Sequence, residues 1–186
     1  MADRAERRPP EVAASTWLQT LPPAGRWALH GAATARARAA TVWGVGFSEA
    51  PCRAITALER ATLWLGPDEY LLLDAASAAD AEGAAVAAAL EQAMGDAPHA
   101  LVDVGHRQFA IEVKGPHAES ILCAGCPLDL DVGAFPVGMC TRTVLAKADI
   151  VLWRTRADAF HLEIWRSFAG YVGGLLREIS RDYSAM

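Results

Sequence analysis

A repeated unit restricts this chain more than any other feature. Leu63 opens the run LWLGPDEYLLLDA, and Leu152 opens the run LWRTRADAFHLEIW. Each reads as strand, turn, strand. In the first, residues 61–65 form a strand, Gly66-Pro67-Asp68-Glu69 a turn and residues 70–73 the return, with strong turn chemistry in the middle. In the second, residues 150–153, 154–158 and 160–165 play the same parts. A helix is expected after each hairpin. Ser77 or Asp80 can cap one over 81–94, ended by Gly95; Ser167 can cap the other over 168–180, where Tyr171, Val172, Leu175, Leu176 and Ile179 form an apolar stripe. Leu-Trp alone matches by chance. Leu-Trp, an acidic turn, an aromatic opening of the second strand and a capped helix, in that order, imply duplication. The expected class is α+β: two interlocked similar halves, each a hairpin-containing antiparallel or mixed sheet with helices, at about 40–97 and about 98–186 of one domain spanning 21–186.

Between the hairpins lies the most regular stretch, residues 102–130. Gln108, Ala110, Glu112 and Lys114 alternate with Phe109, Ile111 and Val113, the period of a strand with one wet face and one buried face. Gly115-Pro116 breaks it, because proline donates no ladder bond but suits the first turn of a helix. A short helix follows, with Ala118, Ile121 and Leu122 inward and Gly125 at its end. Residues 141–145 read as a further β-branched strand. Upstream, Trp27 and Leu29 mark a short extended piece, and Val42, Trp43 and Val45 a strand over 41–47. Residues 1–20, with Arg4, Arg7, Arg8 and Pro9-Pro10, read as a mobile N-terminal arm, either a frayed terminus or an arm lying on a partner.

Composition narrows the function classes. The chain is 53% apolar and 21% charged, as a folded globular protein is, and its net charge of −5 argues against nucleic acid or an anionic membrane as partner. The N-terminus lacks an apolar signal core, and no run is long enough to span a bilayer. The expectation is a cytoplasmic protein with free thiols at Cys52, Cys123, Cys126 and Cys140.

No stretch carries a catalytic, cofactor-binding or metal-binding motif. Cys123-Ala-Gly-Cys126 lacks the second ligand pair of a structural zinc site, and it closes a helix, whereas a redox pair opens one. Asp103, His106 and Arg107 stand at the head of the 108–114 strand, with no activated nucleophile beside them; a local cap or a subunit contact fits them better. No phosphate-binding glycine loop occurs. Arg166, between Trp165 and Phe168, is either a solvated end of a packed strand or an ion-pair partner. The subunit-contact candidates are His106, Arg107, Arg142, Arg166 and Phe168, with Trp17, Trp27 and Trp43 as apolar patch residues outside the repeat.

Taken together, VDVGHRQFAIEVKGPHAESIL, CPLDL, FPVGMCTRT, WRSFAGYV and WLGPDEYLLL resemble the gamma-subunit family of heterotetrameric sarcosine oxidases. More widely, the D-x-x-H-R, strand, Gly-Pro pattern is similar to the folate-binding domain of the glycine-cleavage aminomethyltransferases, a fold of two interlocked halves. The resemblance implies a complex that oxidatively demethylates sarcosine with oxygen as acceptor, tetrahydrofolate taking the one-carbon unit and hydrogen peroxide being formed. It implies partners called alpha, beta and delta, with FAD, FMN, NAD and tetrahydrofolate on the large chains and zinc on the delta chain, none on this one. The aminomethyltransferases have a glycine-rich turn and paired acids before the second hairpin; here the place reads Ala146-Lys147-Ala148-Asp149-Ile150. No Lys-Gly-Cys signature of the iron–sulfur-assembly folate proteins occurs. This chain is thus expected to be a non-catalytic structural subunit. The alternative is a stand-alone folate-binding or one-carbon-transfer protein using Asp103 or Asp149, and another N-methyl amino acid could replace sarcosine.

Overall fold

The alternation in the sequence builds two five-stranded sheets with every pairing antiparallel. A computed structural model describes residues 15–77 and 80–183, with Asp80 described by its backbone alone. The chain forms two compact units, Pro22–His106 and a second made of the flanking residues up to Leu21 and from Arg107 onward.

In the first unit the strands are β2 (Gly25–Gly31), β3 (Ala54–Ala57), β4 (Arg60–Gly66), β5 (Glu69–Asp74) and β6 (His99–Asp103), in the order β3-β4-β5-β2-β6. Helices α1 (Ala33–Trp43) and α2 (Asp80–Met94) complete it. Its core gathers Trp27, Leu29, Ala35, Ala39, Trp43, Tyr70, Leu72, Leu90 and Met94, all buried. The hairpin lies inside the sheet, as its two-faced apolar strands require.

The second unit contains β1 (Leu18–Thr20), β7 (Gln108–Lys114), β8 (Cys140–Leu145), β9 (Ala148–Arg156) and β10 (Ala159–Trp165), in the order β1-β7-β10-β9-β8, with helices α3 (Ala118–Cys123) and α4 (Ala169–Ser180). Phe109, Ile111 and Val113 of β7 enter a core with Ile121, Leu122, Phe160, Leu162, Val172 and Leu176. Gly115 turns the chain from β7 toward α3 at φ 102, and its N–H donates to the carbonyl of Asp158 at 2.9 Å. A side chain there would sit in the left-handed region that glycine enters without cost.

Read from their far edges, the two sheets have one topology. β3, β4, β5, β2 and β6 correspond to β8, β9, β10, β7 and β1. The last position differs in origin: β6 comes after the helix that follows the first hairpin, whereas β1 comes from the start of the chain. This moves two expected boundaries. Residues 99–103 fall in the first unit, because β6 closes the open edge of β2, with Trp27 opposite Asp103. Leu18–Thr20, placed by the sequence in a mobile arm, instead pairs with Ile111–Val113 on the equivalent edge of β7; residues 1–14 lie outside the described residues.

Two local expectations also change. Residues 33–43 form a helix, where a strand over 41–47 was expected, because Ala35, Ala39 and Trp43 recur at helical spacing on one buried face. Gly44 ends that helix at φ 76, its N–H bonded to Ala40 at 3.0 Å. Ser167 is no helix cap: a 3-10 turn, Arg166–Phe168, precedes α4, whose N-cap position is Phe168 with no side-chain cap bond. Ser77 donates to Asp74 at 2.9 Å, and the proposed Asp80 cap lies outside the described side chains.

Candidate interaction surface

β10 ends in Trp165, and the chain then turns through Arg166–Phe168 into α4. Trp165 lies opposite Gln108 in the register of β10 and β7, which brings Arg107 beside it. The Arg107 guanidinium stacks over the Trp165 ring at 5.1 Å. The Arg166 N–H donates to the Arg107 carbonyl at 2.9 Å and locks the two segments together. One turn on, Phe168 and Tyr171 meet edge to face with centroids 6.5 Å apart. Trp165 stays 41% exposed and Tyr171 40%, large apolar faces left in water. Phe168 is half-buried and packs on the core below, so it anchors the group to the fold.

The cluster therefore joins three aromatic rings and the Arg107 side chain at a strand end. Trp, Tyr and Arg are the residue types that dominate binding energy at protein interfaces. A guanidinium already stacked on a ring has less side-chain freedom to lose on binding. The arrangement suits a surface with a carboxylate facing Arg107 and apolar groups facing the rings. It has no nucleophile–base geometry.

The structure separates the other candidates. His106 is exposed immediately before the cluster, in the first unit. Arg142 is exposed on the edge strand β8, with β9 between it and β10. Trp17 is half-buried against the core of the second unit. Trp27 and Trp43 are corrections: each is 1% exposed, and they meet edge to face at 6.0 Å inside the first core. Their rings fill their own unit and offer no face to a partner. Asp103 accepts the Gly105 N–H at 2.8 Å, a local turn bond, and Asp149 is exposed at the head of β9. Ala146 makes the β8–β9 turn at φ 53, the place where a glycine would be relaxed.

Cys126 is buried, its Sγ 3.8 Å from the Thr143 hydroxyl, while Cys123 is exposed at the end of α3. Partial desolvation, with Glu119 and other acids nearby, pushes the Cys123 thiol up, against thiolate chemistry. Among the described residues no three His, Cys, Asp or Glu side chains are grouped to hold a metal ion, and no helix is long and apolar enough to cross a membrane.

Sequence reasoning missed the exposure of Trp165 and Tyr171, which periodicity placed in the packed faces of β10 and α4. The crowding of Trp165, Arg166, Phe168 and Tyr171 into seven positions was the available signal. It also missed two buried arginines, one in each unit, that tie together segments of their own unit. Arg36 donates to the Gly31 carbonyl at 2.9 Å and pairs with Asp68 and Glu49. Those two carboxylates hold its guanidinium charged against the opposing effect of burial. Arg154 donates to the carbonyls of Leu130, Phe135 and Ala157 and to Glu119.

Two antiparallel sheets of matching topology with helices place this chain in the aminomethyltransferase type of fold. The crystal structure of glycine cleavage system aminomethyltransferase T from Bartonella henselae shares it, with TM-score 0.58 at 14% identity over 86% of this chain and 44% of that one. Within that class the sequence is more specific. The model of the sarcosine oxidase gamma subunit family matches residues 30–182, and the chain belongs to that family. Sarcosine oxidase subunit gamma of Corynebacterium sp. (strain P-1) is 39% identical over 125 residues, 67% of this chain and 59% of the relative. The counterpart from Arthrobacter sp is 35% identical over 102 residues, 55% of this chain and 47% of the relative. The chain thus aligns with about half the length of these relatives. Among solved structures, a chain of the heterotetrameric sarcosine oxidase from Corynebacterium sp. U-96 in complex with pyrrole 2-carboxylate matches with TM-score 0.82 at 27% identity, covering 91% of this chain and 85% of that one.

Proposed function

We propose that this chain is a non-catalytic assembly subunit of a heterotetrameric sarcosine oxidase, working in the cytoplasm. Membership of the gamma subunit family supports the complex. The observation that carries the assembly role is the half-exposed Trp165 under Arg107, beside the half-exposed Tyr171, on a fixed strand end. The partners are the alpha, beta and delta chains, and the large alpha chain is the one assigned to this face. An obligate interface of this kind buries more than about 2,000 Å². The complex would oxidatively demethylate sarcosine to glycine with oxygen as acceptor, tetrahydrofolate accepting the one-carbon unit and hydrogen peroxide leaving. FAD, FMN, NAD and the folate would belong to the alpha and beta chains, and zinc to the delta chain.

Two features of this chain favour assembly over an independent folate-dependent activity. Asp103 already spends a carboxylate oxygen on a turn N–H, and the β8–β9 turn carries Ala146 at φ 53 in place of a glycine pair. A base for one-carbon transfer would need an acid held in a pocket at the reacting nitrogen.

The test is co-expression of the four chains with and without this one, scoring recovered complex and sarcosine turnover. Omission is expected to abolish recovery of the complex. The double variant Arg107→Ala/Trp165→Ala should weaken assembly by about 30-fold or more, the loss of a hot-spot pair, with the melting temperature of the isolated chain unchanged. Full assembly and turnover without the chain would overturn the proposal.

A further inference from the structure

We infer that the outer edge of β3 pairs with the same edge of a second copy of this chain, extending the first sheet across a two-fold axis. β3 ends the order β3-β4-β5-β2-β6, and among the described residues no strand lies on its far side. The run from Ile55 through Glu59 is exposed without interruption. An unpaired edge is a template for another chain, and folded proteins guard it with charges, proline or a cover. β8, the counterpart of β3 in the second sheet, is guarded: Cys140 and Leu145 are fully buried, and Arg142 stands in mid-strand. Ala54–Ala57 contains neither charge nor proline and leaves Ile55 in water. At the hairpin tip Leu58 is fully exposed and holds φ 52, a region that disfavours leucine. The equivalent position of the β8–β9 turn is Ala146 at φ 53, so the turn itself does not require a large apolar side chain. Leu58 gains no burial within its own chain; against a second copy it does.

The backbone sets the register. In the β3–β4 hairpin Ala57 lies opposite Arg60 and Ile55 opposite Thr62, and the Trp64 N–H donates to the Arg53 carbonyl at 3.1 Å. Arg53, Ile55 and Ala57 therefore aim their backbone groups at β4, and Ala54 and Thr56 aim theirs outward. Two antiparallel copies centred on Thr56 exchange the pair of Thr56 N–H to C=O bonds on the axis. Ile55 then faces Ala57 of the second copy, Ala54 faces its Leu58, and Arg53 comes beside its Glu59, each contact occurring twice. Arg53 and Glu59 are both exposed, and neither forms an ion pair among the described residues. Opposite charges meet at the ends of the ladder, with apolar pairs and a threonine pair between them, so the edge is complementary to itself. That self-complementarity names a second copy as the occupant.

This inference is independent of the assembly role, which rests on the turn after β10. The test is sedimentation velocity on the purified full chain. A monomer–dimer equilibrium with a Kd of about 10–100 µM is expected, so the chain is mostly single at about 1 µM and mostly paired at about 500 µM. Arg53→Glu and Glu59→Arg, each alone, set like charges against each other twice and should weaken dimerisation by about tenfold or more. An equimolar mixture of those two variants should dimerise within about threefold of the parent, because every facing pair is again opposite in charge. Thr56→Pro, which a sheet edge tolerates, removes the N–H on the axis and should abolish pairing. Thermal unfolding of each variant checks that the fold persists. A parent that stays monomeric to about 500 µM would overturn the inference. So would folded single-charge variants that dimerise as the parent does, or a mixture of them that stays monomeric.

Discussion

Arg154 shows how much a single side chain holds in this protein. Its guanidinium is buried, lies 4.7 Å over the Phe160 ring, and satisfies carbonyls of Leu130 and Phe135 on the α3–β8 connection and of Ala157 in the β9–β10 turn. Without it, those carbonyls would be buried without donors. Arg154→Met keeps the volume and removes the donors; it should lower unfolding free energy by about 3–5 kcal/mol in urea titration, where a surface arginine would change it by well under about 1 kcal/mol. His99 makes a subtler contribution. Its ring nitrogens approach two acceptors, the Ala97 carbonyl at 2.6 Å and Glu91 at 2.7 Å. Only the doubly protonated ring donates to both, and these bonds raise its pKa above the ordinary histidine value. A raised folded-state value means stability that is fully present below the unfolded pKa and lost as pH rises through the folded one. The difference in urea midpoint between the parent and His99→Gln should therefore be large near pH 5.5 and shrink by about pH 9; a constant difference would refute the cationic bridge.

Among the elements, β1 has the most leverage for its length. Three residues fill the edge position on β7 that β6 fills on β2, and Leu18 drives its side chain into the second core at 0% exposure. Leu18→Ala should cost about 2–4 kcal/mol through the cavity it leaves. Hydrogen exchange should locate the loss in β7 and β10, with β2 and β5 protected as before. Unchanged exchange in β7 would mean that β1 is dispensable. The sequence showed the elements whose pattern stays regular over many residues. β4, β5, β7, β9 and β10 were legible from period and turn chemistry, since strands inside a sheet are apolar on one face or both. β1 was not, because three residues hold too few periods to register, and its one buried leucine gains meaning only from the partner strand. α1 was hidden by alanine, whose small side chain shows little contrast between faces although Ala35 and Ala39 are fully buried. The candidate surface was half legible. Arg107, Arg166 and Phe168 stood out by type, but exposure at Trp165 depends on where the sheet stops, which no local period encodes.

At the scale of the whole molecule, the duplicated sheets place the chain in a fold that also serves an enzyme, while family membership points to a subunit. Fold by itself does not assign chemistry; the site must. Here Asp103 is engaged in a turn and Asp149 lies in solvent, while Trp165, Tyr171 and Arg107 are exposed. The most direct test of that claim is native mass spectrometry of material purified through a tag on this chain, after co-expression with the alpha, beta and delta chains. The account predicts one assembly containing a single copy of each of the four chains, lost when Arg107 and Trp165 are both replaced by alanine. A tagged chain recovered alone, carrying tetrahydrofolate and bound to no other subunit, would contradict it.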